Sequence, residues 1–365
     1  MIYLDHAATS YPKPPAVRAA VDRWFDEVGV SADRGDGPQT RAAAAQVQRA
    51  RSLLGELCGA RAERVAFVSG ATEGLNLVLR SLLAPGARVL TTCFEHSSVV
   101  RVLNALRAER ALQVDVVVDD DALCERLQQG GVDVCVFTHA SNVTGHVFDA
   151  ARICAAARAG AATTVLDVSQ SAGYLPLQVG AHVLVGSAHK ALHGPPGLGF
   201  VAAADDVALT PQKQGGTGSS VALDEHPTGW PHVLEAGTPN TPAIFGLAAA
   251  LQWLAEQTPA ELLARSLRSL DRMRAGLDEL ADVRCFAATS AQRTPVLSFV
   301  HGRYDVLELG AVLAGAGVHA RSGFHCAPWV HAHLGTEAAG TVRVSPGPET
   351  SDDDVAAFLD VMRAL

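Results

Sequence analysis

The chain has 365 residues, 48% of them hydrophobic, which is enough for two domains with a substantial core and too apolar for a disordered protein. Its 29 Lys and Arg stand against 38 Asp and Glu, a net charge of -9. That balance argues against nucleic-acid binding, which needs a basic face, and leaves room for a small anionic substrate held by one or two local cations. The first residues carry an acid at Asp5 and no sustained apolar run, so they do not read as a secretory signal. The most apolar helical stretch, residues 244–255, is too short to span a bilayer. The expectation is a cytoplasmic protein with no membrane and no nucleic-acid partner.

From residue 41 to 203 helical and strand patterns alternate. Residues 41–58 read as a helix and 64–69 as a strand; 71–83 is helical, 87–93 a strand, 97–110 a helix and 113–118 a strand. Residues 120–129, 132–138, 149–159 and 163–169 continue the alternation. The strands are apolar almost throughout, which suits parallel strands covered on both faces, and the order suits an α/β layer architecture. Residues 182–187 and 197–203 follow as strands without a full helix between them, which predicts a local antiparallel or mixed addition to the sheet. Residues 204–240 are rich in Gly, Pro and Thr, an irregular connection long enough to be functional or interfacial. Helices at 241–257 and 259–280 come next. Strands at 283–287 and 294–300, a helix at 305–317, strands at 318–323 and 341–346 and a terminal helix capped by Thr350 or Ser351 complete the chain. These patterns predict a large α/β domain over 12–240 and a smaller α+β domain over 241–365 joined by residues 1–11.

The seven cysteines are an odd number with no CxxC spacing, and most lie in apolar surroundings that suit buried free thiols. Cys326 differs: it sits in RSGFHCAPWVHAHLG, beside His325 and near His331 and His333. A zinc site is not expected there, since no second cysteine lies close enough for a common pattern.

Chemistry concentrates in residues 166–200. Asp167 ends an apolar strand, where ligands of open α/β sheets gather, and Gln170 follows three residues on. Ser187, His189 and Lys190 end the next strand, ahead of a Gly-Pro-Pro-Gly run. Lys190 is one of only three lysines, with Lys13 and Lys213, and a buried lysine in that setting is a candidate Schiff-base nucleophile. An acid for a pyridinium nitrogen and a lysine for an aldehyde are the two parts pyridoxal phosphate requires. A phosphate site is supplied by the strand end at Ser69-Gly70, where Ala71 and Thr72 open a helix whose free N–H groups favour an anion.

These residues resemble the class V aminotransferase family of fold-type-I pyridoxal phosphate enzymes, and within it the cysteine desulfurases and selenocysteine lyases. The resemblance runs nearly end to end through YLDHAAT, SGATEGLN, FEHSSVV, ASNVTG, LDVSQSAG, GSAHK, EAGTPN, RSGFHCAP and TVRVSPG. It implies a large domain with a mostly parallel seven-stranded sheet and a smaller C-terminal α+β domain. It further implies that Lys190 holds the cofactor covalently and later carries the substrate α-proton, and that Asp167 keeps the ring nitrogen protonated. By the same resemblance His96 stacks on the ring, Gln170 touches the ring oxygen, and Thr72, Ser187 and His189 hold the phosphate with the Ala71 helix start. Thr238 would reach the phosphate of a neighbouring subunit, hence a homodimer with shared sites. Asn142 and Arg343 would bind the substrate carboxylate. Cys326 would take sulfur from L-cysteine as a persulfide, releasing alanine and passing the sulfur to an acceptor protein. His325 would favour its thiolate, and a mobile loop would carry the sulfur outward.

One departure stands out. Where relatives show Arg-Gly-x-His, this chain keeps Arg34 and Gly35 but has Gly37 at the histidine position. Two other readings stay open at this point. One is a different class V reaction, such as a β-lyase, aminotransferase or epimerase acting on another amino acid; the other is a sulfur-carrier subunit, disfavoured because it need not keep Lys190.

Overall fold

The computed structural model describes residues 1–32, 35–218, 224–288 and 292–365. Arg34 and part of the irregular 204–240 segment lie outside them. The short strand β1 (Ile2–Tyr3) and the helices α1 (Pro15–Arg23) and α2 (Pro38–Cys58) precede the main sheet. Then come β2 (Val65–Val68), α3 (Ala71–Leu82), β3 (Arg88–Thr92), α4 (Ser97–Arg110), β4 (Gln113–Val117) and α5 (Asp120–Gln128). After these follow β5 (Val134–Thr138), α6 (Ala150–Ala159), β6 (Thr163–Asp167), β7 (Val183–Ser187) and β8 (Gly199–Ala203).

The strands form one seven-stranded sheet in the order β2-β8-β7-β6-β5-β3-β4. Neighbours from β7 to β4 are parallel, and β8 runs antiparallel to both β7 and β2. Only β8 is therefore reversed, the antiparallel addition that the short link after residue 187 predicts. Alternate residues serve opposite faces. Cys135, Phe137 and Leu166 join a core with α2, α5 and α6, whereas Val134, Val136 and Val165 join one with α3 and α4. Helix α3 sits close on the sheet because Gly74 has no side chain: a Cβ there would lie 2.7 Å from Val185 Cγ1. That approach sets the N-terminus of α3 over the strand ends.

Helices α7 (Thr241–Gln257) and α8 (Pro259–Asp278) lead to β9 (Val283–Phe286), β10 (Leu297–His301) and α9 (Val306–Gly315). Strands β11 (Val318–His319) and β12 (Arg321–Gly323), helix α10 (Pro328–Leu334), β13 (Thr341–Val344) and α11 (Asp352–Arg363) close the chain. A four-stranded antiparallel sheet, β12-β13-β10-β9, packs on α8, α9 and α11. Ser351, rather than Thr350, caps α11 in a capping box with Asp354.

One expected element changes. The stretch 318–323 is not one strand: β11 pairs with β1, and β12 pairs with β13 in a different sheet. Residues 328–334, for which the sequence pattern predicts no element, form helix α10, opened by Pro328 and closed by Gly335 in the left-handed region. Packing also runs across the expected boundary at 241. Ile244, Leu247, Leu251 and Leu254 of α7 sit in the core of the seven-stranded sheet, and so does Leu262 at the start of α8, while Leu270, Met273 and Leu277 enter the smaller core. We place the domain junction within α8.

Candidate active site

A cavity of about 750 Å³ opens at the carboxyl ends of β5, β6 and β7. Every residue expected around cofactor and substrate lines it except Thr238. Asp167, the last residue of β6, is buried and accepts from the Ser169 N–H at 2.9 Å. Lys190 follows β7. Burial pulls its ammonium below the ordinary range, the Asp167 carboxylate opposes that fall, and Arg343 and Arg321 add to it. The shift favours the neutral amine that carbonyl chemistry needs.

The backbone that carries Lys190 is pinned from the N-terminal segment. The carbonyl of His189 accepts from Lys13 Nζ at 2.7 Å, Ser10 N at 3.0 Å, Thr9 Oγ1 at 3.0 Å and Ser10 Oγ at 3.2 Å. Burial lowers Lys13 to about 8. The same segment reaches Gln170, whose Nε2 donates to Ala7 O at 2.9 Å.

His96 is both helix cap and cavity wall. Its Nδ1 accepts from Ser98 N at 3.1 Å at the start of α4. Burial, then the Lys190 charge, lowers it to about 4, so the ring is neutral near pH 7. Just behind it Glu95 is fully buried. Its Oε1 meets the Thr92 hydroxyl at 2.5 Å and accepts from Thr138 N at 3.0 Å, tying the ends of β3 and β5 together. Burial pushes this carboxyl up to about 8 against those two hydrogen bonds, and Asp167 adds to the rise. Ser187 Oγ accepts from Ala71 N at 3.2 Å, joining β7 to the start of α3, where Thr72 is exposed to the cavity.

Arg343 is 1% exposed in β13, between β10 and β12, and not a solvated edge residue. Its Nη2 donates to Asp5 Oδ1 at 2.5 Å and its Nη1 to Asn142 O at 3.0 Å, while Nε is buried with no partner among the described residues. A guanidinium whose Nε–H is unspent suits a carboxylate.

Cys326 is the one exposed cysteine, between β12 and α10. His325 and Cys326 both adopt left-handed φ angles, 48° and 58°, a conformation that costs energy in non-glycine residues and persists only when neighbours hold it. Here they do: Ser97 N donates to Cys326 O at 2.6 Å, Asn142 Nδ2 to His325 O at 2.5 Å, and Ala327 N to Phe324 O at 2.9 Å. These bonds hold the backbone of the turn between β12 and α10 that carries the thiol. The expected role of His325 changes. Its ring is buried, Nε2 meets Thr341 Oγ1 at 2.9 Å, and burial followed by the Arg343 charge lowers it to about 2, so it brings no positive charge to the thiol. The cation beside the thiol is Arg321, whose Nη2 lies 3.6 Å from Cys326 Sγ. Its signal was in the sequence, at the head of RSGFHCAP. Asp5 and Glu95 likewise lie inside quoted motifs, YLDHAAT and FEHSSVV, but their partners Arg343 and Thr138 lie far along the chain, so spacing alone assigns them no role.

His331 is buried against Thr336 Oγ1, and His333 packs on Phe94, apart from the cavity lining. Gly37 is exposed at the start of α2 and likewise outside the lining. Thr238 lines a second cavity of about 960 Å³ together with Ser69, Glu73 and Lys213, on the far side of the α3 entry. The donor set around the first cavity fits pyridoxal phosphate. It offers a carboxylate and an amine on neighbouring strand ends, a helix start for the phosphate, and a buried Ser169 hydroxyl with no partner among the described residues.

Lysine, strand-end acid and helix start, arranged on a mostly parallel seven-stranded sheet, define a class of pyridoxal phosphate enzymes. The Aminotransferase class-V model matches residues 2–358, and the chain belongs to that family. Cysteine desulfurase CsdA of Escherichia coli is 30% identical over all of this chain and 94% of its own length. A probable cysteine desulfurase of Mycobacterium leprae is 29% identical over the whole chain, which spans 62% of that protein. The apo structure of a cysteine desulfurase from Thermococcus onnurineus NA1 superposes with a TM-score of 0.93 at 28% identity, covering 100% of this chain and 94% of the other.

Proposed function

We propose that this chain is a pyridoxal phosphate-dependent cysteine desulfurase, which converts L-cysteine to L-alanine and holds the released sulfur as a persulfide on Cys326. The observation that carries the reading is one cavity lined by Lys190, Asp167, Arg343 and an exposed cysteine.

Asp167 would pair with the ring nitrogen of the cofactor, His96 would lie against its ring, Gln170 would meet the ring oxygen, and Thr72, Ser187 and His189 would hold the phosphate at the start of α3. Bound there, the cofactor supplies an electron sink for the substrate α-carbon. Arg343 Nε and the Asn142 side chain receive the substrate carboxylate and so point its sulfur toward the β12–α10 turn. Lys190, held low by burial, takes the α-proton and returns one to carbon. The Cys326 thiolate, beside the Arg321 guanidinium, attacks the substrate sulfur. The carbon–sulfur bond breaks, a sulfur–sulfur bond forms, and the electron pair left on carbon takes a proton to become the methyl group of alanine. No external oxidant is needed. The protein works as a cytoplasmic homodimer in which Thr238 approaches the phosphate of the neighbouring subunit, and the sulfur passes to a separate acceptor.

The test is mass spectrometry of protein incubated with L-cysteine. The wild type gains one sulfur on Cys326 while alanine accumulates; Cys326→Ser gains none. A Cys326→Ser protein that makes alanine at the wild-type rate would overturn the assignment.

A further inference from the structure

Lys13 does not line the catalytic cavity, yet its charge is spent on the backbone that carries Lys190. Its Nζ is 2.7 Å from His189 O, 2.7 Å from Ser10 Oγ and 3.5 Å from Thr9 Oγ1. An ammonium can only donate, so both hydroxyls accept from it and turn their own protons to His189 O, at 3.2 and 3.0 Å. Three side chains therefore converge on one carbonyl, that of the His189–Lys190 peptide. Burial lowers Lys13 to about 8, with no carboxylate among the described residues opposing the fall. The titratable groups beside it, His6, His189 and His193, are neutral near pH 7. Burial takes them to about 4, 4 and 3, and the Lys13 charge adds to each fall, for His189 after that of Lys190. The chain has 29 Lys and Arg and only three lysines, and three donors on one nitrogen suit three oxygens around a point. The same segment touches other parts of the cavity in turn: Asp5 holds Arg343, and Ala7 O accepts from Gln170.

We propose that Lys13 is a positioning residue for Lys190, fixing the His189–Lys190 peptide and with it the place where the Lys190 amine meets the cofactor aldehyde and the substrate α-proton. The inference rests on the pyridoxal phosphate reading above and adds to it a residue outside the cavity. Ser10 N, at 3.0 Å, and the two hydroxyls are neutral donors, and a bond from a charged donor is about twice as strong. Without the ammonium the hydroxyls are free to rotate, and the carbonyl keeps Ser10 N as its fixed donor. The carbonyl is not orphaned, so the fold survives, but the strand end that aims Lys190 loosens. A reacting group displaced by about 1 Å costs up to about a hundredfold in rate. The substrate carboxylate is held by Arg343 on β13, whose partner Asp5 stays in place, so binding is spared while the chemical step slows.

The test starts from apoprotein and reads covalent uptake before turnover. Pyridoxal phosphate is added, and at timed intervals borohydride fixes whatever has joined the protein. Lys190 Nζ adds to the aldehyde carbon, water leaves, and hydride from borohydride makes the bond permanent as a secondary amine. Peptide mass then gives the rate at Lys190. Lys13→Met takes up the cofactor about ten- to a hundredfold more slowly than the wild type. Lys13→Arg, which returns the charge through a planar fork, falls between the two. With L-cysteine as substrate, kcat of Lys13→Met falls by a similar factor while KM stays within about twofold. Uptake by Lys13→Met at the wild-type rate, an equal loss in Lys13→Arg, or a raised KM with kcat unchanged overturns the proposal. Urea unfolding of the apoproteins checks the fold, and Lys13→Gln, a polar replacement, is read the same way if Lys13→Met is unstable. Wild-type protein that takes up no pyridoxal phosphate on Lys190 brings down the cofactor reading itself, and this inference with it.

Discussion

At one end of the cavity Lys190 stands on a backbone whose preceding carbonyl accepts four donors, flanked by buried Asp167 and backed by buried Glu95. At the other end Cys326 is exposed, on a turn of left-handed residues held by three hydrogen bonds. The contrast follows the two tasks. The lysine end must shift proton affinities, which requires low dielectric and fixed partners. The cysteine end must release a sulfur atom to the outside, so the thiol is exposed while its backbone is fixed.

Substitutions should therefore hit hard at the lysine end and lightly at the cysteine end's surroundings. The largest effect is on turnover: Lys190→Ala lowers alanine formation from L-cysteine by about 10²–10⁴-fold, the usual contribution of a positioned acid–base group. Activity within tenfold of wild type would remove Lys190 from the proton transfer. Next is Asp5→Ala, which leaves Arg343 buried with its strongest partner gone and costs about 3–5 kcal/mol of stability by urea unfolding. A loss under about 1 kcal/mol would mean that water replaces the carboxylate.

A third effect depends on pH. Glu95 rises from 4.5 to about 8 on folding, so the folded protein binds the extra proton, and that stabilisation is full below about 4.5 and lost as pH rises through about 8. Unfolding curves for wild type and Glu95→Gln should therefore diverge across that window, the variant gaining relative stability toward alkaline pH. Parallel curves would show that Glu95 is ionised in the fold. The smallest effect is at the thiol: Arg321→Gln slows alkylation of Cys326 by iodoacetamide by up to about fivefold. No change would leave the 3.6 Å contact without electrostatic consequence.

The strand–helix alternation, the reversed strand after residue 187 and the residues Asp167, Lys190 and Cys326 were legible in the sequence, because hydrophobic period and motif spacing are local properties. Residues 318–323 were misread for the same reason. A short run reads alike in one strand and in two that part at Ala320 for different sheets, and only pairing separates them. Nor does local pattern show that α7, which follows an irregular segment at the expected boundary of 241, packs back on the earlier core.

By itself the sequence determined the fold class, the lysine and acid at neighbouring strand ends, and the cysteine at the far end of the chain. Tertiary structure alone decided what those groups are: which cation faces the thiol, that His325 is neutral, and that Asp5 meets Arg343 across 338 positions. Charge state depends on burial and on partners brought from distant parts of the chain, and neither is written in local spacing.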